Sequence, residues 1–451
     1  MYCAAAIWAL HQAYRRLDDD RGKSYELGQS ALACMRGVLN CWKRQAHRLE
    51  LWKAGQSPKL ALHTVVALHT GEDLLDPEEY HHLQLDCISL YLIYLVQMVT
   101  SGLEIIYSME EVALVQNLVY YIERTYRTPD FGTWGRGTKY NDGNPEVHAS
   151  SIGMAKAALE AVNGFNLFGE RGSNCSVIYA DIDAHNRNRS IFETLLPRES
   201  NTKNTDAALL PTISFPAFAT QNETLYTSTK SRIVDQLKGE YGFKRFIRDG
   251  FGSELEVAGR RYYQEGETVD FQGVENEWPM FFIFMIIDGM FKNLPQQVEE
   301  YQQLLEKTMT EDPSNGDPLL PRMYSVPSAG LSKERCAPRS VKRKITRSQV
   351  DMGRLAEEER QQVGEVFLWG QALFTISQLL TKGLLYLHEL DPICRCTQSC
   401  LSPLFIKSVI RYLPCTARQK PPGRYSTYLG LVPRKDCGIK YDNELTPFFC
   451  L

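Results

Sequence analysis

Carboxylates beside aromatic side chains are the residues of this 451-residue chain best suited to chemistry. Glu275 and Glu277 come directly before Trp278, and Asp86 and Glu146 each precede another apolar segment. Hydrolysis of a glycosidic bond requires one carboxyl group to protonate the leaving oxygen and a second to activate water or attack the sugar. These acids are therefore candidates for a sugar site. The alternative for the pair before Trp278 is that it starts the following helix electrostatically.

A glycine-rich loop at residues 131–137 has a layout similar to the acid loop of glucoamylase-like glycosidases, but it lacks the acid. It reads Phe-Gly-Thr-Trp-Gly-Arg-Gly and joins two segments of helical periodicity. Gly135, which follows the Trp, has no side chain to give or take a proton. We therefore expect a degenerate sugar pocket in which the scaffold persists without the chemistry. Its predicted members are Trp134, Gly135, Arg136, Glu275, Glu277 and Trp278.

The elements that must position these loops are predicted to be helices. Apolar residues recur at helical spacing in segments such as 112–122, 152–162 and 369–380. Ser108, with Glu111 three residues later, predicts a reciprocal capping box. The best strand-like segment, 176–180, is short. Many helices joined by polar and aromatic loops indicate an all-α fold, a ring of helical hairpins.

Composition excludes several classes of function. The chain is 43% hydrophobic and 23% charged, with a formal net charge of -4, so no global field favours nucleic acid. The most apolar windows, 88–99 and 280–291, are too short to span a bilayer. Twelve Cys without a secretory leader predict reduced thiols and a cytoplasmic location.

The helical pattern defines a predicted domain at 1–392, interrupted by a charged insertion at about 333–362. A Cys- and Pro-rich tail at 393–451 lacks a sustained apolar period, and we predict that it is poorly ordered. Within the insertion, Thr346 and Ser348 follow basic residues and are candidate phosphorylation sites. The alternative for this segment is a solvated charge run.

Residues 35–53 combine basic and apolar side chains in a pattern that calmodulin targets share. A core-facing helix with a solvated basic side has the same pattern, so both interpretations stay open. The residues concerned are Trp42, Lys43, Arg44, Arg48 and Trp52.

Other motifs carry no chemistry. The Asp-Phe-Gly triplet at 130–132 lacks the other elements of a kinase domain, and no nucleotide-binding glycine motif is present. His81 and His82 are adjacent, and Cys394, Cys396 and Cys400 lack a paired ligand set of zinc-like spacing. We predict no metal and no cofactor.

Several long stretches resemble the alpha and beta regulatory subunits of phosphorylase b kinase. The run Asp-Ile-Asp-Ala-His-Asn-Arg-Asn-Arg at 181–189 is more similar to the beta branch. The loop at 131–137 resembles the acid loop of glucoamylase-like glycosidases, which have Glu after the Trp. Their catalytic base arises late in the chain, where the corresponding segment here offers Arg322. The stretches that carry the family resemblance are 14–20, 82–86, 181–189, 196–200, 204–211 and 242–246.

This resemblance implies a glucoamylase-like (α/α)6 toroid that serves as a non-catalytic regulatory scaffold. In that family the alpha and beta subunits assemble with a calmodulin-type delta subunit and a gamma subunit that carries the kinase chemistry. Phosphorylation and calcium relieve restraint of the gamma subunit during glycogen breakdown. The expected partners are therefore the alpha, gamma and delta subunits, with glycogen as a further candidate.

The chain departs from the family in three places. Members have Trp-Glu-Arg-Gly where this chain has Gly135 after the Trp. The chain begins within the first helical region and ends before a long C-terminal half, so we expect an N-terminally incomplete toroid. Cys450 is followed only by Leu451, whereas a prenylation box needs three residues after the Cys. Two alternatives remain: an α-glucosidase that uses Glu146 with Glu275, and a module that binds glycogen.

Overall fold

The computed structural model describes residues 1–67, 69–74, 82–135, 137–169, 172–257, 259–312, 315–336, 343–345 and 366–396. Helices dominate these residues, as the apolar periodicity predicts. The helices are α1 (Tyr2–Tyr14), α2 (Lys23–Arg44), α3 (Ala46–Gly55), α4 (Leu85–Thr100), α5 (Met109–Ile122), α6 (Ala149–Val162), α7 (Ile182–Leu195), α8 (Leu209–Ile213), α9 (Glu223–Leu237), α10 (Glu265–Thr268), α11 (Met280–Phe291), α12 (Pro295–Glu306), α13 (Leu331–Cys336), α14 (Leu368–Thr381) and α15 (Leu387–Leu390).

Two concentric layers of helices explain the burial pattern. Helices α4, α6 and α11 are apolar around most of their surface and are buried almost completely, as expected for an inner layer. Helices α2, α7, α9 and α12 bury only one stripe and form the outer layer. The inner layer runs α1, α4, α6, α8, α11, α14, and each inner helix packs on the next.

The inner ring closes within the described residues. Helix α1 packs along α14, and on its other side Tyr2 meets Tyr94 of α4 at 6.3 Å between ring centroids. The indole N–H of Trp8 donates to the hydroxyl of Ser101 at 2.9 Å. The predicted all-α toroid of helical hairpins is therefore confirmed.

Local expectations hold less well than the overall fold. Segment 176–180 forms no strand; its backbone makes an isolated bridge between Val177 and Asn166. The described strands lie instead in the segment before α14. They are β1 (Thr310–Glu311), β2 (Pro318–Leu319), β3 (Met323–Ser325) and β4 (Arg343–Ile345), paired antiparallel as β1–β2 and β3–β4.

The predicted capping box at α5 forms only in part. The Ser108 side chain accepts a hydrogen bond from the Glu111 amide at 3.3 Å, as expected for an N-cap. The Glu111 carboxylate accepts instead from the Tyr107 amide at 2.7 Å and pairs with Arg36 at 3.0 Å. Glu111 was predicted to complete the cap, but its carboxylate instead pairs with Arg36 of α2, which is remote in sequence.

The loops that precede inner helices meet on one face of the toroid. Asp130 accepts a hydrogen bond from the first amide of α4, at Leu85, and Asp206 accepts one from Trp134. The backbone of Trp278 pairs with Phe243. This face, called the loop face below, therefore holds the residues predicted for the sugar pocket.

The packed domain continues past the predicted boundary at residue 392. Arg395 is buried, and its guanidinium donates to the carbonyls of Ala157 and Ala217 and pairs with Glu160 at 3.0 Å. Residues 393–396 therefore belong to the fold. The remainder of the predicted tail, 397–451, and the candidate phosphorylation sites Thr346 and Ser348 lie outside the described residues.

The length and apolarity of a helix decide whether it can cross a bilayer. In the part of the chain that the structure describes, no helix combines the length and apolarity that a bilayer span requires.

Two glycine substitutions test the layered packing. A Cβ at Gly153 of α6 would come within 2.6 Å of the Phe192 ring and closer still to Thr212, whereas one at exposed Gly37 of α2 would meet nothing within 4 Å. We expect Gly153→Ala to lower the free energy of unfolding by about 1–3 kcal/mol through overpacking. The control Gly37→Ala should raise it by about 0.5–1 kcal/mol because Ala favours the helix. Urea unfolding measures both; equal effects would contradict the layered packing.

Candidate functional site

An aromatic cluster fills the centre of the loop face. The ring of Trp134 lies 6.4 Å from Trp278, 6.2 Å from Trp369 and 6.1 Å from Phe281. The sequence predicted that Trp134 and Trp278 share a pocket, and the structure brings the two together. It also adds two rings from α14 and α11 that the sequence analysis missed. Trp134 and Trp278 are only 4% and 3% exposed, so no open aromatic surface faces solvent here.

Two arginines cover the aromatic rings. The guanidinium of Arg245 lies 4.9 Å from the Trp134 ring and 4.3 Å from the Phe251 ring, and that of Arg322 lies 5.5 Å from Trp278. These are cation–π distances. Arg245 is held by two hydrogen bonds to Asp249, at 2.6 and 2.8 Å. Side chains of this protein therefore occupy the ring faces on which a sugar would stack.

The backbone at Gly135 is itself unsuited to an acid. Its φ is +59°, a left-handed conformation that costs other L-residues about 1–2 kcal/mol. A Cβ at this position would lie 3.3 Å from the amide nitrogen of the Gln84 side chain. The loss of the acid is therefore built into the loop conformation. Arg136, the next predicted member of the pocket, lies outside the described residues.

Glu275 holds together loop segments that precede α11. Its carboxylate, fully buried, pairs with Lys244 at 2.8 Å and accepts hydrogen bonds from the amides of Arg248 and Gly273 at 2.9 and 2.8 Å. Every one of these partners lies in the segment before α11. These contacts give Glu275 a structural role in joining loop segments.

Glu277 has a comparable position. Its carboxylate accepts from the Tyr241 amide at 2.8 Å and packs against Gly239, and its backbone pairs with Tyr324. Glu275 and Glu277 accept hydrogen bonds from loop amides that lie outside α11, and Glu275 also accepts one from the Lys244 ammonium. The tertiary structure thus gives this pair a third role, beyond a sugar site and a helix start.

The other two candidate acids, Glu146 and Asp86, have different surroundings from Glu275 and Glu277. Glu146 accepts hydrogen bonds from Ser200 and from both the amide and the hydroxyl of Thr202, at 2.6–3.2 Å. Asp86 lies in α4, where burial, with the nearby Asp130 carboxylate adding to it, raises its pKa to about 7. Its Oδ1 atom has no hydrogen-bond partner among the described residues.

A buried polar network under the loop face was not recognised as a site from sequence. Asp130 bonds the imidazole of His148 at 2.7 Å and the hydroxyl of Ser151 at 2.6 Å. Burial opposes the charged imidazole, but the hydrogen bond to Asp130, together with the charges of Asp130 and Glu199, raises the pKa of His148 overall. The sequence carried a signal for part of this network, because His148 directly precedes the apolar helix α6. Asp130 was interpreted only as the first residue of a kinase-like triplet.

Two more buried acids extend this network. Glu199 accepts from the Ser150 amide at 3.0 Å, and Asp206 accepts from the Trp134 indole at 2.9 Å. Burial raises the pKa of Glu199 to about 7, with Asp206 adding to the effect, and burial also raises the pKa of Asp206. No group of three His, Cys, Asp or Glu in the described ranges could hold a metal ion.

The basic segment at 35–53 has its tryptophans in the core. Trp42 packs edge-on against Tyr91 at 4.8 Å, and Trp52 packs against Tyr121 at 4.7 Å. Arg48 donates to the Ala61 carbonyl at 2.9 Å. The helix is also broken at residue 45, between α2 and α3. This geometry favours a core-facing helix pair whose exposed basic side chains include Lys43 and Arg44.

The chain matches a family of known proteins over most of its length. The family model described as glycosyl hydrolases family 15 matches residues 1–396. The chain belongs to this family. Solved structures agree with the fold of this family member: a glycosidase variant superposes with a TM-score of 0.55, and another, in complex with glucose, with 0.54. Each is 14% identical and covers 85% of this chain and 87% of its own.

Several curated relatives of this chain have names that describe regulatory subunits of a kinase. "Probable phosphorylase b kinase regulatory subunit beta" of Drosophila melanogaster is 55% identical over 430 residues, 95% of this chain. The alpha counterpart of the same organism is 43% identical over 398 residues, 88% of this chain, as is the skeletal muscle alpha isoform of Oryctolagus cuniculus. This chain spans about a third of their length, 35% of the beta subunit and 31% of each alpha subunit.

The aligned part of the beta relative reaches beyond the family match. It takes in 430 of the 451 residues and so includes part of the segment 393–451. The predicted resemblance to the regulatory subunits is confirmed, and it extends beyond the stretches from which it was predicted.

Restoring the acid at residue 135 should not restore hydrolysis. We expect Gly135→Glu to lower the free energy of unfolding by about 1–2 kcal/mol because of the positive φ, and to release no glucose from maltose. Gly135→Ala is the control, since it introduces the same backbone strain without a carboxyl group. Glucose release by the Glu variant alone would show that a working base remains.

Asp86 should make the protein less stable as the pH rises. Its pKa is about 7 in the fold and about 4 in the unfolded chain, so the folded state binds more protons between these values and stability falls across that window. Asp86→Asn, which cannot ionise, should flatten the decline in melting temperature between pH 5 and 8. The exposed Glu104→Gln should leave the slope unchanged. An unaltered slope in Asp86→Asn would refute the assignment.

Proposed function

We propose that this chain is the glucoamylase-like part of a non-catalytic regulatory subunit of phosphorylase b kinase, of the beta type. The observation that carries the proposal is the 55% identity to the fly beta subunit over nearly the whole chain, against 43% to the alpha subunit. The identity of two residues supports it as well, because Gly135 and Arg322 stand where the acid and the base are expected.

The proposed mechanism is a shift of population in the kinase assembly. A scaffold without chemistry regulates an enzyme only if phosphorylation or calcium favours one arrangement of the complex over another. The proposed partners are the alpha, gamma and calmodulin-type delta subunits, and the gamma subunit supplies the kinase reaction. The proposed location is the cytoplasm, where glycogen breakdown takes place.

Two finer assignments belong to the same proposal. If the basic segment contacts the delta subunit, its buried tryptophans leave exposed Lys43 and Arg44 as the contact residues. Thr346 and Ser348 are proposed as phosphorylation sites because they follow basic residues.

The enzymatic alternative has less support. Glu146 and Glu275 are both engaged by loop hydrogen bonds, and Glu275 is fully buried beside Lys244. The glycogen-binding alternative has little support at the predicted pocket, since Trp134 and Trp278 are covered. A sugar would have to displace Arg245 or Arg322 from these rings.

The decisive experiment is co-expression of the chain with the gamma, alpha and delta subunits. We expect the chain to co-purify in a complex of defined mass and to change basal or calcium-stimulated phosphorylase kinase activity. The control is the same co-expression without the chain. In the assembled complex, Lys43→Glu with Arg44→Glu tests the delta contact, and Lys382→Glu, an exposed charge reversal directly after α14, is its matched control.

Two outcomes would overturn the proposal. A soluble chain that joins none of the subunits would place assembly elsewhere in the longer relatives. Release of glucose from maltose, abolished by Glu146→Gln, would support the α-glucosidase instead.

A further inference from the structure

A solvent-open cavity lies on the loop face beside the aromatic centre. Its volume is about 260 Å³, and it is bounded by loop residues 202–205 and 246–248 and by two glutamines. The glutamines are Gln236, at the end of α9, and Gln272. None of the residues predicted for the sugar pocket lines this cavity. It is therefore distinct from the degenerate site described above.

Lys203 places a buried positive charge in the wall of this cavity. The residue is only 7% exposed, and its ammonium lies 4.8 Å from the centre of the Phe246 ring. Within the described ranges, its ammonium has no hydrogen-bond acceptor and no carboxylate at ion-pair distance. A nearly buried ammonium without an acceptor is costly unless something supplies one.

Arg248 adds a second cation on the opposite loop. Its backbone has a φ of +66°, which is unusual for a residue other than glycine, and its amide donates to Glu275 at 2.9 Å. The Gly273 amide donates to the other oxygen of the same carboxylate at 2.8 Å. Glu275 thereby fixes both loop segments and presents Arg248 and Gln272 to the cavity. Among the described residues the Arg248 guanidinium has no acceptor.

The nearby acids have other partners or are deeply buried. Glu275 pairs with Lys244 at 2.8 Å, and Glu146 accepts hydrogen bonds from Ser200 and Thr202. Glu199 and Asp206 both interact electrostatically with Lys203, but neither lies at ion-pair distance from its ammonium. Burial raises the pKa of Glu199 to about 7 and also raises the pKa of Asp206, which accepts from the Trp134 indole. The C-terminal end of α9 contributes roughly half a negative charge, against two full positive charges on the cavity wall.

We propose that this cavity binds a phosphoryl group, as inorganic phosphate or as a phosphate monoester. A guanidinium fork and a lysine point charge together match the oxygens of a tetrahedral dianion. The side-chain amides of Asn204, Gln236 and Gln272 offer donors to further oxygens or to the hydroxyls of an attached group. The proposal is independent of assembly with kinase subunits.

The test is calorimetric titration of the full chain with inorganic phosphate, glucose 6-phosphate and glucose at constant ionic strength. Lys203→Met removes the charge but keeps the packing on Phe246, and Arg248→Gln changes a partly exposed residue. We expect saturable binding that each variant weakens by about tenfold or more. The matched control is Lys292→Met, since Lys292 also stacks on a ring, Tyr226, and lines a different cavity.

The outcomes separate the possible ligands. Tighter binding of glucose 6-phosphate than of inorganic phosphate would support a phosphate monoester, and equal binding would support free phosphate. Absence of saturable phosphate binding at 10 mM, on the order of the weakest useful affinity, would overturn the proposal. Binding that only Lys292→Met weakens, or binding of glucose alone, would overturn it as well.

Discussion

The buried ion pair between Arg245 and Asp249 is the interaction around which the loop face is organised. Both side chains are almost fully buried, and a buried guanidinium is tolerated only if a carboxylate meets it with good geometry. The two hydrogen bonds to Asp249 satisfy that condition. With its charge compensated, Arg245 packs against Trp134 and Phe251 and joins loops that come from different hairpins.

This arrangement explains why a glycosidase fold can lack a glycosidase site. Three of the acids that the sequence singled out, Glu146, Glu275 and Glu277, accept hydrogen bonds from neighbouring amides, hydroxyls and Lys244, so they hold loops in place. The rings that would receive a sugar are covered by Arg245 and Arg322. The hydrogen bond from the Arg248 amide to Glu275 also holds Arg248 in its left-handed conformation at the edge of the neighbouring cavity.

Much of the fold was predictable because it depends on periodicity. A ring of helical hairpins needs apolar stripes at helical spacing and polar loops between them, and both are visible in the chain. Expectations that depended on one local motif did worse. Glu111 pairs with Arg36 of α2 and does not complete its capping box, so a contact remote in sequence outcompeted the local preference. Segment 176–180 makes only an isolated bridge and a few backbone hydrogen bonds with residues 164–167, too few for a strand.

The sequence by itself determined the all-α class, the regulatory resemblance, and the absence of an acid at Gly135, because residue identity and helical period are properties of the chain alone. Only the tertiary structure decided what the remaining charged residues do. Whether Trp42 faces the core, whether Glu275 is open to a substrate, and whether Lys203 meets an acceptor all depend on which segments are brought together. Burial and pairing are created by that assembly, and they set the charge and reach of each group.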